Sequence, residues 1–255
     1  MKDDAGVGSI RAIPEIARVT LRQLLGRRRT LLLVLLAALP VLLALAFRVA
    51  GETAIQPFTR RVFDTISITI LLPLVAILFG SGAFGAEIDD GTIVYLLAKP
   101  LSRWAVVAGK ALSAMAVAIL LTAASTALAG FIDLVPAGND GVLATEAQVL
   151  AMVVGSVCYV SLFLALSLFT RRALVIGVGY MLVWEGALSI ILPGIANLSI
   201  RQYALGAASA IYRLPVQEAR LSADTAFVLS GVLVVATLAI ATWKLMRIEL
   251  PGDTD

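Results

Sequence analysis

The sequence contains no histidine. This removes the commonest general base, the commonest metal ligand and the usual activator of a serine or cysteine nucleophile, so most hydrolase mechanisms are excluded. A single cysteine, Cys158, rules out an intrachain disulfide, and its place inside an apolar run suits a small buried hydrophobe. Charge is equally scarce, with only 15% of the 255 residues being Asp, Glu, Lys or Arg. The net charge is +3, yet no aromatic residues interleave the arginines at 18, 22, 27, 28 and 29, so a base-stacking nucleic-acid surface is excluded.

Apolar residues take up what is missing elsewhere: they make up 60% of the chain, and the mean hydropathy is +0.98. Such a chain needs lipid as its solvent. Crossing the hydrocarbon core takes about 20 mostly apolar residues, and runs of that kind fall near 30–48, 65–84, 105–131, 147–169, 173–193 and 224–243. The expected fold is therefore all-α and polytopic, with six transmembrane helices in a single domain over 30–243. A segment 1–29 precedes it and a tail 244–255 follows. The first apolar run is too long for a signal-peptide core and reads as a retained span. Pro40 and Pro73 are expected to kink their helices rather than end them.

Basic residues orient the spans. Fourteen of the twenty fall in the N-terminal segment, the 85–110 connection, the Arg171-Arg172 turn and the tail, which places both termini in the cytoplasm of a cell-membrane protein. Arg48, Arg60 and Arg61, in the first external loop, run against that rule. Upstream of the first span, Pro14 suits the first turn of a helix, and Ile13, Ala17, Leu21 and Leu24 then share one face while Arg11, Glu15, Arg18 and Arg22 lie off it. That pattern describes an amphipathic helix lying on the cytoplasmic leaflet; the plainer alternative is a basic lead-in to the first span. The connection 194–223 is too polar to span and reads either as a short external helix or as a re-entrant hairpin buried in protein.

The connection between the second and third spans carries the most specific pattern. Three acids, Glu87, Asp89 and Asp90, open it; Gly91 and Thr92 follow, then an apolar run from Ile93 through Tyr95 to Leu96 and Leu97, then Lys99 and Pro100. Asp90 or Thr92 can cap a helix of about two turns that Pro100 stops, and Ser102 can cap the next helix, with Arg103 and Lys110 at its membrane entry. An apolar run too short to span and exposed on a cytosolic loop is expected to dock on another protein or on the bilayer surface.

On Glu87, Gly91, Thr92, Leu96, Leu97, Pro100, Arg103, Gly109 and Lys110 the chain resembles the membrane subunits of ABC-2 type transporters, the exporter permeases of ATP-binding cassette systems. The resemblance implies that the segment 85–104 holds a coupling helix, about Asp90 to Leu97, that sits in a cleft of a separate ATP-binding subunit. It also implies a second permease subunit, the same chain or a related one. The chain has no phosphate loop of its own: Trp104 and Ala111 stand where a Gly109-Lys110 loop would need a glycine and a hydroxyl. No cofactor is expected here, ATP and magnesium belonging to the partner.

Glu185 is the clearest acid inside a span, about thirteen residues beyond Arg172. An ionisable group there is either a substrate or coupling site or a structural glutamate bonded to a neighbouring helix. Ala114 with Ala118, and Ala123 with Ala127, have the spacing of close helix packing. Two rival readings are an ion-gradient-driven secondary transporter, which would show repeated halves and several buried charges, and an intramembrane enzyme, which would need a catalytic constellation.

Overall fold

The computed structural model describes residues 3–25, 28–50, 65–92, 101–133, 138–188, 193–212 and 219–247, and these contain helices and turns but no strand. In chain order the helices are α1 (Asp3–Leu25), α2 (Arg28–Val49), α3 (a π-helical Thr65–Leu71 running into α-helical Leu72–Asp89), α4 (Arg103–Asp133) and α5 (Asn139–Ser167). Then come α6 (α-helical Ala173–Tyr180 running into π-helical Met181–Leu188), α7 (Ile200–Ala208) and α8 (Ala223–Met246).

Four stretches are long and apolar enough to cross a membrane: Thr65–Gly85, Arg103–Ile132, Asn139–Ser167 and Ala223–Met246. The other two expected spans coincide with shorter apolar helices among the described residues, Val34–Val49 and Ala173–Gly186. The helix of the fourth expected span begins earlier than hydropathy suggests, at Asn139, because Asn139, Asp140 and Glu146 dilute the apolar signal of turns that are helical nonetheless. Pro73 stands just past the π-helical turns of α3. Such a local adjustment accommodates the missing N–H and the ring without ending the helix. Pro14 differs from expectation: α1 begins at Asp3, so the proline is in its interior, on an exposed position.

The core is built on α4 and α5, an antiparallel pair joined through 134–138. Gly130 lies against Thr145 near the connection, and Thr122 and Ser156 are hydrogen-bonded at 3.1 Å further along. α3 runs parallel to α5, with Gly80 against Val160 and Phe163 and Leu72 against Gly155. Of the small pairs read from the sequence, Ala114 and Ala118 are fully buried while Ala123 and Ala127 are half-buried. α2 packs on α4, and the Ser125 hydroxyl donates to the Ala37 carbonyl across that contact. At the far end of the same pair Arg48 Nη1 donates to the Ile132 carbonyl at 2.9 Å. Arg48 thus satisfies a carbonyl at the C-terminus of α4, where a cation is favourable, and this accounts for one arginine that the orientation rule left unexplained.

α1 is amphipathic as expected, with Arg18 and Arg22 exposed and Ile13, Ile16, Ala17, Leu21 and Leu24 partly buried. Its apolar face rests on protein. At Gly109 on α4 a Cβ would come within 2.9 Å of Ile16 Cγ2 and 3.1 Å of the Ile13 carbonyl, and the Ser113 hydroxyl donates to the Ala17 carbonyl at 2.8 Å. Only glycine lets α1 sit this close to α4.

Candidate functional site

Two polar constellations stand out against this apolar background, one at each end of the functional reading. The first joins the helices that flank the 90–102 connection. Lys110, two turns into α4, is 1% exposed. Its ammonium donates to the Ala83 carbonyl at 2.6 Å and to Glu87 Oε1 at 2.8 Å, lies 2.8 Å from Glu87 Oε2, and sits over the Phe84 ring at 4.8 Å. A carbonyl near the C-terminus of α3, a carboxylate from its last turn and an aromatic face together neutralise one buried cation.

Glu87 therefore faces the bundle, in an ion pair that fixes where the connection leaves α3 and re-enters at α4. Asp89 ends α3, and Asp90, Gly91 and Thr92 form an exposed turn in which Gly91 has φ +68, a conformation that favours glycine. Arg103 opens α4 and is partly buried. Ser102 does not cap α4 with its side chain: its carbonyl accepts from Ala105 and Val106, while its hydroxyl has no partner among the described residues. Ile93, Tyr95, Leu96, Leu97 and Pro100, with the short helix expected there, lie outside the described residues.

Replacing Lys110 with methionine strands the Glu87 carboxylate and is expected to lower stability by about 3 kcal/mol or more. Adding Glu87→Met should restore most of that loss, since an apolar pair of similar volume is often neutral in such a place. Thermal unfolding of the two variants in detergent checks this; equal melting temperatures for the single and the double variant would count against the clamp.

The second constellation centres on Glu185, in the π-helical part of α6 and 2% exposed. Its Oε2 accepts from the Ser199 hydroxyl at 2.6 Å. Its Oε1 accepts from the Ile200 N–H at 2.9 Å, the Tyr180 hydroxyl at 3.2 Å and, more weakly, the Arg201 N–H at 3.5 Å. Ile200 and Arg201 are the first residues of α7, so the carboxylate of one helix caps the N-terminus of another. Ser199 completes the cap, its oxygen accepting from the Gln202 N–H at 3.3 Å. Gln202 Oε1 in turn accepts from the Arg220 N–H at 3.0 Å, and the Tyr203 hydroxyl donates to the Asn197 carbonyl at 2.6 Å. An aromatic ladder backs the site: Tyr159, Phe163, Tyr180 and Trp184 follow one another at 6.0, 6.1 and 6.3 Å between ring centres.

This arrangement bears on the choice left open for 194–223. Apart from the partly buried Arg201, α7 is buried from Ile200 to Ala208, between α5 and α8. Ala204 faces Gly155 at the middle of α5, Gly206 meets Ala226 in the first turn of α8, and Tyr212 packs on Ala144 near the start of α5. α7 thus starts deep beside Glu185 and climbs toward the Asn139 end of the bundle.

The sequence carried a signal for this helix start, Ser199 with Gln202 three residues on. Nothing in it tied that cap to a carboxylate fourteen residues upstream. Sequence reading also set Glu87 and Lys110 on one connection without pairing them.

The Glu87–Lys110 clamp joins α3 and α4 at one end of an apolar bundle, and a buried, capped helix lies within it. Residues 16–250 match the family model described as ABC-2 family transporter protein. The chain belongs to that family. The match takes in α3, the 90–102 connection and α4, as well as α6 to α8, so both constellations lie inside the ABC-2 region. No curated protein matches the chain. As an ABC-2 family membrane protein it is a transport component rather than a catalytic one, and families of this kind work with an ATP-binding subunit.

Proposed function

We propose that the chain is the permease subunit of an ATP-driven ABC-2 exporter, with six spans and both termini in the cytoplasm. It pairs with a second permease subunit, a copy of itself or a related chain, and each permease engages an ATP-binding subunit through the segment about Asp90 to Leu97. The observation that carries this reading is the family match across residues 16–250. The Glu87–Lys110 clamp supports it by giving the connection a rigid base: a push on the segment moves α3 and α4 together, and α1 moves with α4 through Gly109 and Ser113. ATP binding and hydrolysis in the partner would then shift the bundle between two packed arrangements. In this reading the 194–212 segment is the re-entrant element of the external face, and Glu185 holds it in place.

Topology is tested by single cysteines. Cys158 is buried and stays silent, so Arg171→Cys should escape an impermeant reagent in intact cells and Gly138→Cys should be labelled. The opposite labelling pattern would invert the orientation and remove the coupling assignment.

A further inference from the structure

The turn between α5 and α6 and the end of α8 gather four cations that neither constellation uses. Arg171 and Arg172 are exposed in the turn, which is fixed in part by the Arg172 N–H donating to Thr170 Oγ1 at 3.1 Å. Lys244 reaches across from α8, its ammonium 5.3 Å from the centre of the Phe169 ring, and the Arg247 guanidinium lies 4.0 Å over the ring of Trp243. The first contact holds Lys244 beside the turn, and the second holds Arg247 against the end of its own helix. None of the four cations is in an ion pair with a described residue; Glu249, two positions after Arg247, lies outside the described residues. Phe169, Trp243 and Met246 are all exposed at the same end. Arg172 also stands at the N-cap of α6, where no side chain caps the helix, so the helix's positive end adds to the local charge.

Clustered positive charge next to exposed aromatic and thioether groups, at the end of two apolar helices, is complementary to one kind of ligand. That ligand has an anionic phosphate and carries its apolar part with it. We propose that Arg171, Arg172, Lys244 and Arg247 form a binding site for the headgroup of an anionic phospholipid, with Phe169, Trp243 and Met246 against the upper part of its acyl chains. A soluble phosphate would leave those three side chains in water, whereas the lipid covers them. The site ties the end of α8 to the α5–α6 turn through the lipid, and its occupancy holds that corner of the bundle together.

The test uses the full chain in detergent, with native mass spectrometry reading retained lipid after addition of phosphatidylglycerol or of phosphatidylcholine with the same acyl chains. The wild type should retain phosphatidylglycerol about tenfold more than phosphatidylcholine. Arg172→Gln with Arg247→Gln should abolish that preference, while Arg172→Lys with Arg247→Lys, which keeps the charge, should keep most of it. The lysine pair also separates loss of the site from loss of the fold. Equal retention of the two lipids by the wild type, or an unchanged preference in the glutamine pair, would overturn the proposal. So would displacement of phosphatidylglycerol by millimolar inorganic phosphate, which would reveal an anion site with no need of lipid. Retention of an acidic protein in place of lipid when the chain is purified from membranes would assign the patch to a protein contact.

Discussion

Replacing Glu185 with leucine is expected to be the most damaging single change in the bundle. The Ser199 and Tyr180 hydroxyls and the Ile200 and Arg201 N–H groups would lose their acceptor together, in a place where Glu185 is 2% exposed. Leaving several buried donors without a partner should cost about 3–5 kcal/mol, the scale of breaking a buried charged contact. The apparent melting temperature in detergent should fall by roughly 10 °C. Glu185→Gln separates the two readings of this residue. Its amide oxygen can replace Oε1 toward Ile200, and the Ser199 hydroxyl can reverse to accept from the amide nitrogen. If Glu185 serves to hold α7, this variant keeps most of the stability and transports normally. A stable glutamine variant that fails to transport would make the charge itself a participant in substrate handling or coupling.

The double substitution Leu96→Asp with Leu97→Asp tests the proposed coupling segment. Both leucines belong to the apolar run between Gly91 and Pro100, and no span includes them. In the apolar contact proposed for this run, two charges would stay unpaired at a cost of several kcal/mol. Membrane insertion should be unaffected and the melting temperature near that of the wild type. Transport should stop. A variant that transports at the wild-type rate would move the coupling contact to another segment.

The sequence told much about the helices because lipid imposes a simple rule: backbone polar groups must be satisfied within the segment, and the side chains around it must be apolar. Thr65–Gly85, Arg103–Ile132 and Ala223–Met246 therefore appear close to where hydropathy put them. The rule is weaker at helix ends and in short buried helices. The exposed Asn139, Asp140 and Glu146 break the apolar run over the first turns of α5, and α7, buried against protein, has too short an apolar length to register as a span. Pairings over distance were not legible at all. The contacts Glu87–Lys110, Glu185–Ser199 and Arg48–Ile132 span 23, 14 and 84 positions. Each depends on which helices end up adjacent, and a one-dimensional pattern carries no record of that. Pro14 shows the converse: a residue with a strong local preference sits in a helix interior, where lost N–H bonding at one exposed position is tolerated by a helix packed on α4.

In the proposed function this ABC-2 permease takes its energy from a separate ATP-binding subunit. Purification of the tagged wild-type chain from its native membranes, followed by quantitation of the proteins that remain bound, is the decisive measurement. A subunit with a Walker A motif and an ABC signature should be recovered in one-to-one ratio with the permease and be lost from the Leu96→Asp, Leu97→Asp variant. Purified wild-type permease that transports under an ion gradient with no ATP-binding subunit bound would contradict the proposed function, and would make the chain a secondary transporter.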